Sequence, residues 1–137
     1  MPETDYMIKP IGVIRSELVD LDAAPRQGSE GAPEAWLELN DDVAGAIDGL
    51  AVGDDVMLLT WFHRADRSVL QVHPRDNADN PLTGVFATRS SHRPNPIGLH
   101  RVTVLEIVGT RLRVAPLEAI NGTPLVDIKI ALTRSEG

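Results

Sequence analysis

Leu99-His100-Arg101-Val102-Thr103-Val104-Leu105-Glu106-Ile107-Val108-Gly109-Thr110-Arg111-Leu112-Arg113-Val114-Ala115-Pro116-Leu117 is the stretch on which the fold turns. Leu99 to Val108 is the longest strand that the sequence predicts. One face carries Leu99, Arg101, Thr103, Leu105 and Ile107, and the other carries His100, Val102, Val104, Glu106 and Val108. Gly109-Thr110 is a hairpin signal, and Leu112 to Leu117 returns as its partner. A long antiparallel hairpin of this kind belongs to an all-β domain.

Upstream of the hairpin the chain changes character. Gly84-Val85-Phe86-Ala87 reads as apolar strand. Thr88-Arg89-Ser90-Ser91-His92-Arg93-Pro94-Asn95-Pro96-Ile97-Gly98 is too polar and too rich in proline for a packed element. Pro94 and Pro96 fix φ near −65° on either side of Asn95 and restrict the residues before them. This is a stiff polar loop between strands, the kind of segment that carries function on a rigid scaffold.

The remaining strands are short. Ile8 to Arg15 and Trp36 to Leu39 read as the first two. Asn40, Asp41 and Asp42 can cap a short helix with Val43, Ala46, Ile47 and Leu50 on one face. Val56 to Phe62 is nearly unbroken apolar sequence, which predicts a strand covered on both faces and delivers His63 and Arg64 at its exit. Val69 to Val72 is expected to pair back after a turn at Asp66-Arg67-Ser68. Asn121-Gly122 marks another turn, and Leu125 to Ile130 alternates as a half-exposed strand with Asp127 and Lys129 on its polar side. Residues 20–34 form a long loop in which Pro25-Arg26-Gln27-Gly28 is the most specific point. Many short strands, Gly/Pro turns and one short helix predict a mainly β single domain over residues 1–137, a barrel or a sandwich.

Composition narrows the chemistry. The chain has no cysteine, so thiolate metal sites and disulfides are excluded. His63, His73, His92 and His100 contain no HxH or HExxH spacing, and no metal is expected. No GxSxG elbow, Walker loop or GxGxxG is present. No apolar run approaches the roughly 18 residues of a membrane span, and the first residues lack a signal-peptide pattern, so a soluble cytoplasmic protein without membrane contact is expected. The net charge is −7. Residues 1–60 carry 13 acidic and 3 basic side chains, and residues 61–137 carry 7 and 10, so positive charge gathers around and after the polar loop. Eleven of the thirteen bases are arginine, which suits planar contacts to carboxylate or phosphate. Arg89 and Arg93 are placed to hold such a group, and Asn95 offers a fixed amide. On residue chemistry alone the chain is a ligand-binding β domain.

Four blocks in order carry a resemblance: Gly12-Val13-Ile14-Arg15-Ser16, Pro25-Arg26-Gln27, Gly84 to Leu99, and Asn121-Gly122-Thr123-Pro124-Leu125-Val126-Asp127-Ile128-Lys129. Together they resemble the TrmO family, also called YaeB-like or TsaA-like. The resemblance implies a small single-domain β-barrel that dimerises and binds S-adenosyl-L-methionine. It implies methyl transfer to the exocyclic nitrogen of threonylcarbamoyl-adenosine, with the tRNA anticodon loop as partner. By the same resemblance Arg26, Gln27, Gly28, His63, Arg64, Arg89, Leu99, Leu117 and Glu118 contact the cofactor. Arg93 and Asn95 are the catalytic candidates, as orienters of the acceptor. The acceptor nitrogen sits beside a carbonyl, so no dedicated general base is expected. The same cofactor site also fits a small-molecule methyltransferase or a non-catalytic S-adenosylmethionine-binding module. The chain departs from the family pattern at Asn121 (usually Asp), at Glu118 (more often Asp) and at Ile130-Ala131 (in place of Pro-Tyr). The added C-terminal domain of longer members is not expected within these residues.

Overall fold

The computed structural model describes residues 5–17 and 33–132. In chain order the strands are β1 (Gly12–Arg15), β2 (Ala35–Leu39), β3 (Asp55–Trp61), β4 (Gln71–Val72), β5 (Thr83–Gly84), β6 (Ile97–Val108), β7 (Arg111–Ala115) and β8 (Pro124–Ile130). Six of them close an antiparallel barrel in the order β1-β2-β7-β6-β3-β8, with β1 and β8 completing the circle. β4 and β5 form a separate two-stranded ribbon. The barrel expectation holds, and the sandwich alternative does not.

Strand alternation builds the core. Val56, Leu58 and Thr60 point into the barrel and are fully buried, between half-buried Asp55, Met57, Leu59 and Trp61. Ile14, Leu37, Val102, Val104, Leu112, Val114 and Leu125 fill the same interior. Gly12 lets β1 approach β2, because a Cβ there would collide with the Glu38 carbonyl oxygen and Leu39 Cα. The Gly109 turn joins β6 to β7 with φ of 61°, as the hairpin signal predicts. Asn121 Oδ1 accepts from the Ser16 amide at 3.1 Å, which ties the end of β1 to the turn before β8.

Several details differ from expectation. β1 begins only at Gly12, after Pro10, which has no N–H to give a ladder. β3 is not covered on both faces. Its neighbours β6 and β8 occupy its edges, and a single-layer barrel leaves the outer side of Met57, Leu59 and Trp61 partly open. For the same reason Val69 to Val72 finds no free edge on β3, and Gln71-Val72 pairs with Thr83-Gly84 instead. Gly84 to Ala87 is not an apolar strand. It ends β5 and enters a 3-10 turn at Val85–Ala87. The two faces predicted for β6 do not run through, because the register shifts between Val104 and Glu106 and brings Ile107 onto the core. The return strand stops at Ala115. The short helix is a 3-10 segment, Asp41–Ile47, without a side-chain cap from Asn40. Val43, Ile47 and Leu50 pack on the core, while Ala46 stays exposed because the tighter winding turns it away. No helix among the described residues is long and apolar enough to cross a membrane.

Candidate functional site

The β3–β6 ladder ends on the pair Trp61 and Ile97. Between them residues 62–96 leave the barrel and return, carrying most of the polar side chains singled out above. Hydrogen bonds fix this excursion in place. The Phe62 amide donates to the Pro96 carbonyl at 2.8 Å. The Asp66 amide donates to His92 Nδ1 at 2.8 Å. Arg67 donates from Nε to the Pro94 carbonyl at 2.7 Å and from Nη2 to Asn95 Oδ1 at 3.0 Å, with its guanidinium over the Trp61 ring. The exit of β3 and the polar loop are therefore one tied unit. Asp66 is itself held by the Ser68 hydroxyl and amide, which keep its carboxyl below the usual carboxylate range.

A cavity of about 310 Å³ opens at this end of the barrel. His63 and Arg64 line it from the β3 exit, Arg89 from the polar loop, and Glu118 from the β7–β8 connection. Four residues from three distant segments thus meet in one place. Leu117 precedes Glu118 but points into the core at 2% exposure, and its amide donates to the Pro33 carbonyl at 2.9 Å. Leu99 faces the opposite way, out of the barrel, with 44% of its surface exposed. Arg26, Gln27 and Gly28 lie outside the described residues.

His100 also lines this cavity, and it was not among the residues singled out for the site. It sits on the inner face of β6, with Nε2 3.1 Å from Thr60 Oγ1 and its ring edge-on to Phe62 at 6.0 Å between centroids. Burial pushes its imidazole below the ordinary histidine value. The sequence signal was a histidine beside Val102 and Val104 on one strand face, two residues after a glycine. Gly98 is required there, because a Cβ would run into Thr60 Oγ1 and the Phe62 ring.

Beside the mouth cavity lies a second, more open one of about 800 Å³. Its sides are Val72 to Arg75 and Phe86 to His92, and Arg89, Ser91 and His92 line both cavities. Arg93 is not on either surface. Its guanidinium donates to the Val85 and Thr88 carbonyls and braces the loop from behind. Asn95 borders a different depression, with Tyr6, Trp61, Arg67 and Ile97. The two acceptor-side candidates are therefore separated from each other and from the mouth cavity. Among the described residues no group of three or more histidine, aspartate or glutamate side chains is placed to hold a metal ion.

The mouth cavity is lined by two guanidinium groups, one carboxylate and three imidazoles together with apolar Phe62, Ala119 and Ile120. That set suits a zwitterion with a flat aromatic part. Residues 13–135 match the family model described as the tRNA-methyltransferase O N-terminal domain. The chain belongs to the TrmO family. It is 40% identical over 131 residues to a probable S-adenosyl-L-methionine-binding protein of Methanocaldococcus jannaschii, covering 91% of each chain. It is 37% identical over 123 residues to an S-adenosyl-L-methionine-binding protein of Archaeoglobus fulgidus, covering 90% of this chain and 87% of that one. The crystal structure of TrmO from Pseudomonas aeruginosa superposes with a TM-score of 0.74 at 34% identity, covering 94% of this chain. The chain spans just over half of that solved TrmO chain, 57%. The barrel and the family implied by the four sequence blocks both hold.

Proposed function

We propose that the mouth cavity binds S-adenosyl-L-methionine, and that the chain transfers its methyl group to the exocyclic nitrogen of threonylcarbamoyl-adenosine beside a tRNA anticodon. The convergence of His63, Arg64, Arg89 and Glu118 on one cavity carries this reading. The names of the two archaeal relatives and of the matching family model support it.

The donor set fits the cofactor. Arg89 has no hydrogen-bond or ion-pair partner among the described residues, which leaves its guanidinium for a carboxylate. Glu118 is exposed at the cavity and suits an ammonium group. Phe62 and Ile120 supply apolar surface for an aromatic ring. When bound, the cofactor supplies a methyl carbon activated by the adjacent sulfonium. Arg89 and Glu118 would hold the carboxylate and ammonium groups of the cofactor, and the acceptor nitrogen would take up the methyl group with loss of its own proton to solvent. The protein contributes mainly position, which for such a displacement is a large part of the barrier.

The outer faces of β3 and β6 place Leu59 opposite Leu99 and Trp61 opposite Ile97, with Leu99 and Ile97 exposed. This apolar stripe supports a homodimer, which light scattering at several concentrations tests.

The decisive experiment pairs calorimetric binding of S-adenosylmethionine with transfer of labelled methyl to total tRNA from a strain lacking TrmO activity. Binding together with label in tRNA is expected. Binding without label would move the assignment to a small-molecule acceptor or a non-catalytic module. Arg89→Ala and Glu118→Gln should each weaken cofactor binding on the order of tenfold, the scale of one lost charge-assisted hydrogen bond.

A further inference from the structure

We propose that the second cavity seats an unpaired nucleobase of the acceptor RNA, stacked on the Phe86 ring with a neighbouring phosphate at Arg75. The inference rests on the methyltransferase reading and adds to it the place and the means by which the acceptor is held.

Phe86 is 86% exposed, an unusual state for an aromatic ring without polar groups. It is not a frayed side chain. It stands on the 3-10 turn Val85–Ala87, whose first residue is buried. The Val85 carbonyl receives three donors: the Thr88 amide at 3.0 Å, the Thr88 hydroxyl at 2.9 Å and the Arg93 guanidinium. The Val85 amide donates to the Leu70 carbonyl at 2.9 Å. The ring is presented to solvent by a braced turn, which spares a stacking partner part of the cost of ordering it.

Arg75 lines the same cavity, and its backbone takes a left-handed φ of 59°. Arginine rarely adopts that conformation, and such residues cluster at ligand clamps. Among the described residues its guanidinium has no hydrogen-bond or ion-pair partner. An aromatic ring and a guanidinium with no partner among the described residues, both lining one cavity, match a base and its phosphate. The net charge of −7 disfavours a long phosphate track, whereas one stacked base needs few phosphate contacts. Arg89, Ser91 and His92 form the wall common to both cavities, so a base in the second lies next to the ligand of the first.

The test uses the full chain and a fluorescent RNA hairpin with an adenosine-rich unpaired loop, read by anisotropy beside a blunt duplex of the same composition. The wild-type protein should prefer the hairpin. Phe86→Ala should weaken hairpin binding on the order of tenfold, as for loss of one stacked base, and Phe86→Tyr should restore it. Arg75→Ala should weaken binding and flatten its salt dependence. Calorimetry with S-adenosylmethionine should give the same affinity for all four proteins. Equal hairpin binding by Phe86→Ala and wild type, no preference for the hairpin, or a loss of self-association rather than of RNA binding would each overturn the proposal. The RNA arm needs no cofactor. Failure of cofactor binding by the wild type therefore strikes the methyltransferase reading alone, and failure of the RNA arm strikes this one.

Discussion

Thr60 Oγ1 and His100 Nε2 stand 3.1 Å apart on the inner faces of β3 and β6, where the barrel interior opens into the mouth cavity. Burial holds the imidazole below its ordinary value of 6.5 in the folded chain. In the unfolded chain it takes up a proton near that ordinary value. Between the two values the unfolded state binds more protons. Stability therefore falls as pH drops through about 6.5 and levels off below the folded value. Thermal melts at about pH 7.5 and about pH 5 should show this loss, and His100→Gln should shrink it. An unchanged pH slope in that variant would assign the effect to other groups.

Gly98 sits beneath Thr60 and Phe62 with no room for a methyl group. Gly98→Ala should cost about 1–3 kcal/mol, read from the denaturant midpoint, because both neighbours belong to the packed barrel mouth. Phe62 lines the mouth cavity, so on the proposed function the same variant should also bind S-adenosylmethionine more weakly. A fully stable variant would mean that the β3 exit yields more easily than its hydrogen bonds imply.

Arg93 braces the polar loop through the Val85 and Thr88 carbonyls. Lysine has no planar fork and cannot reach both oxygens in the same way. Arg93→Lys should lose about 1–2 kcal/mol of local stability. Amide exchange at Thr88, whose N–H bonds Val85, should speed up accordingly. Unaltered exchange with reduced turnover would instead return Arg93 to the acceptor side.

Asn95 receives Arg67 on the flank away from the mouth cavity. Asn95→Ala should leave cofactor affinity within about twofold, as for sites without shared partners. Undiminished turnover of this variant would remove Asn95 from the reaction, while reduced turnover at constant cofactor affinity would make it an orienter of the acceptor.

Local periodicity fixed much of the fold in advance. The Gly109 turn and the second-half hairpin depend on near neighbours, and they were legible. The clean alternation expected of Leu125 to Ile130 is broken, because the β3–β8 register shifts between Leu59 and Thr60 and turns Leu125 into the core despite its sharing the parity of Asp127 and Lys129. What failed depends on distant ones. Whether the outer face of β3 is covered, and where Gln71-Val72 finds a partner, is decided by which strands claim the β3 edges. A one-residue register shift after Val104 is invisible in an alternation that reads well either way. At the site, the polar loop and the β3 exit were legible as ligand-bearing because their composition is odd. The division of labour within the loop was not, because Arg89 and Arg93 look alike in sequence and differ only in what surrounds them. His100 escaped because a single histidine on an apolar strand face usually means a satisfied core residue.

The pairing of Trp61 with Ile97 has one more consequence. Residues 62–96 leave and re-enter the barrel at hydrogen-bonded partners, so their removal would leave two strand ends already in register for a tight turn. The barrel and the excursion are separable modules joined at a stem. Recognition can then be rewritten on the excursion, by grafting or by lengthening it, without disturbing the aliphatic interior that makes the chain fold.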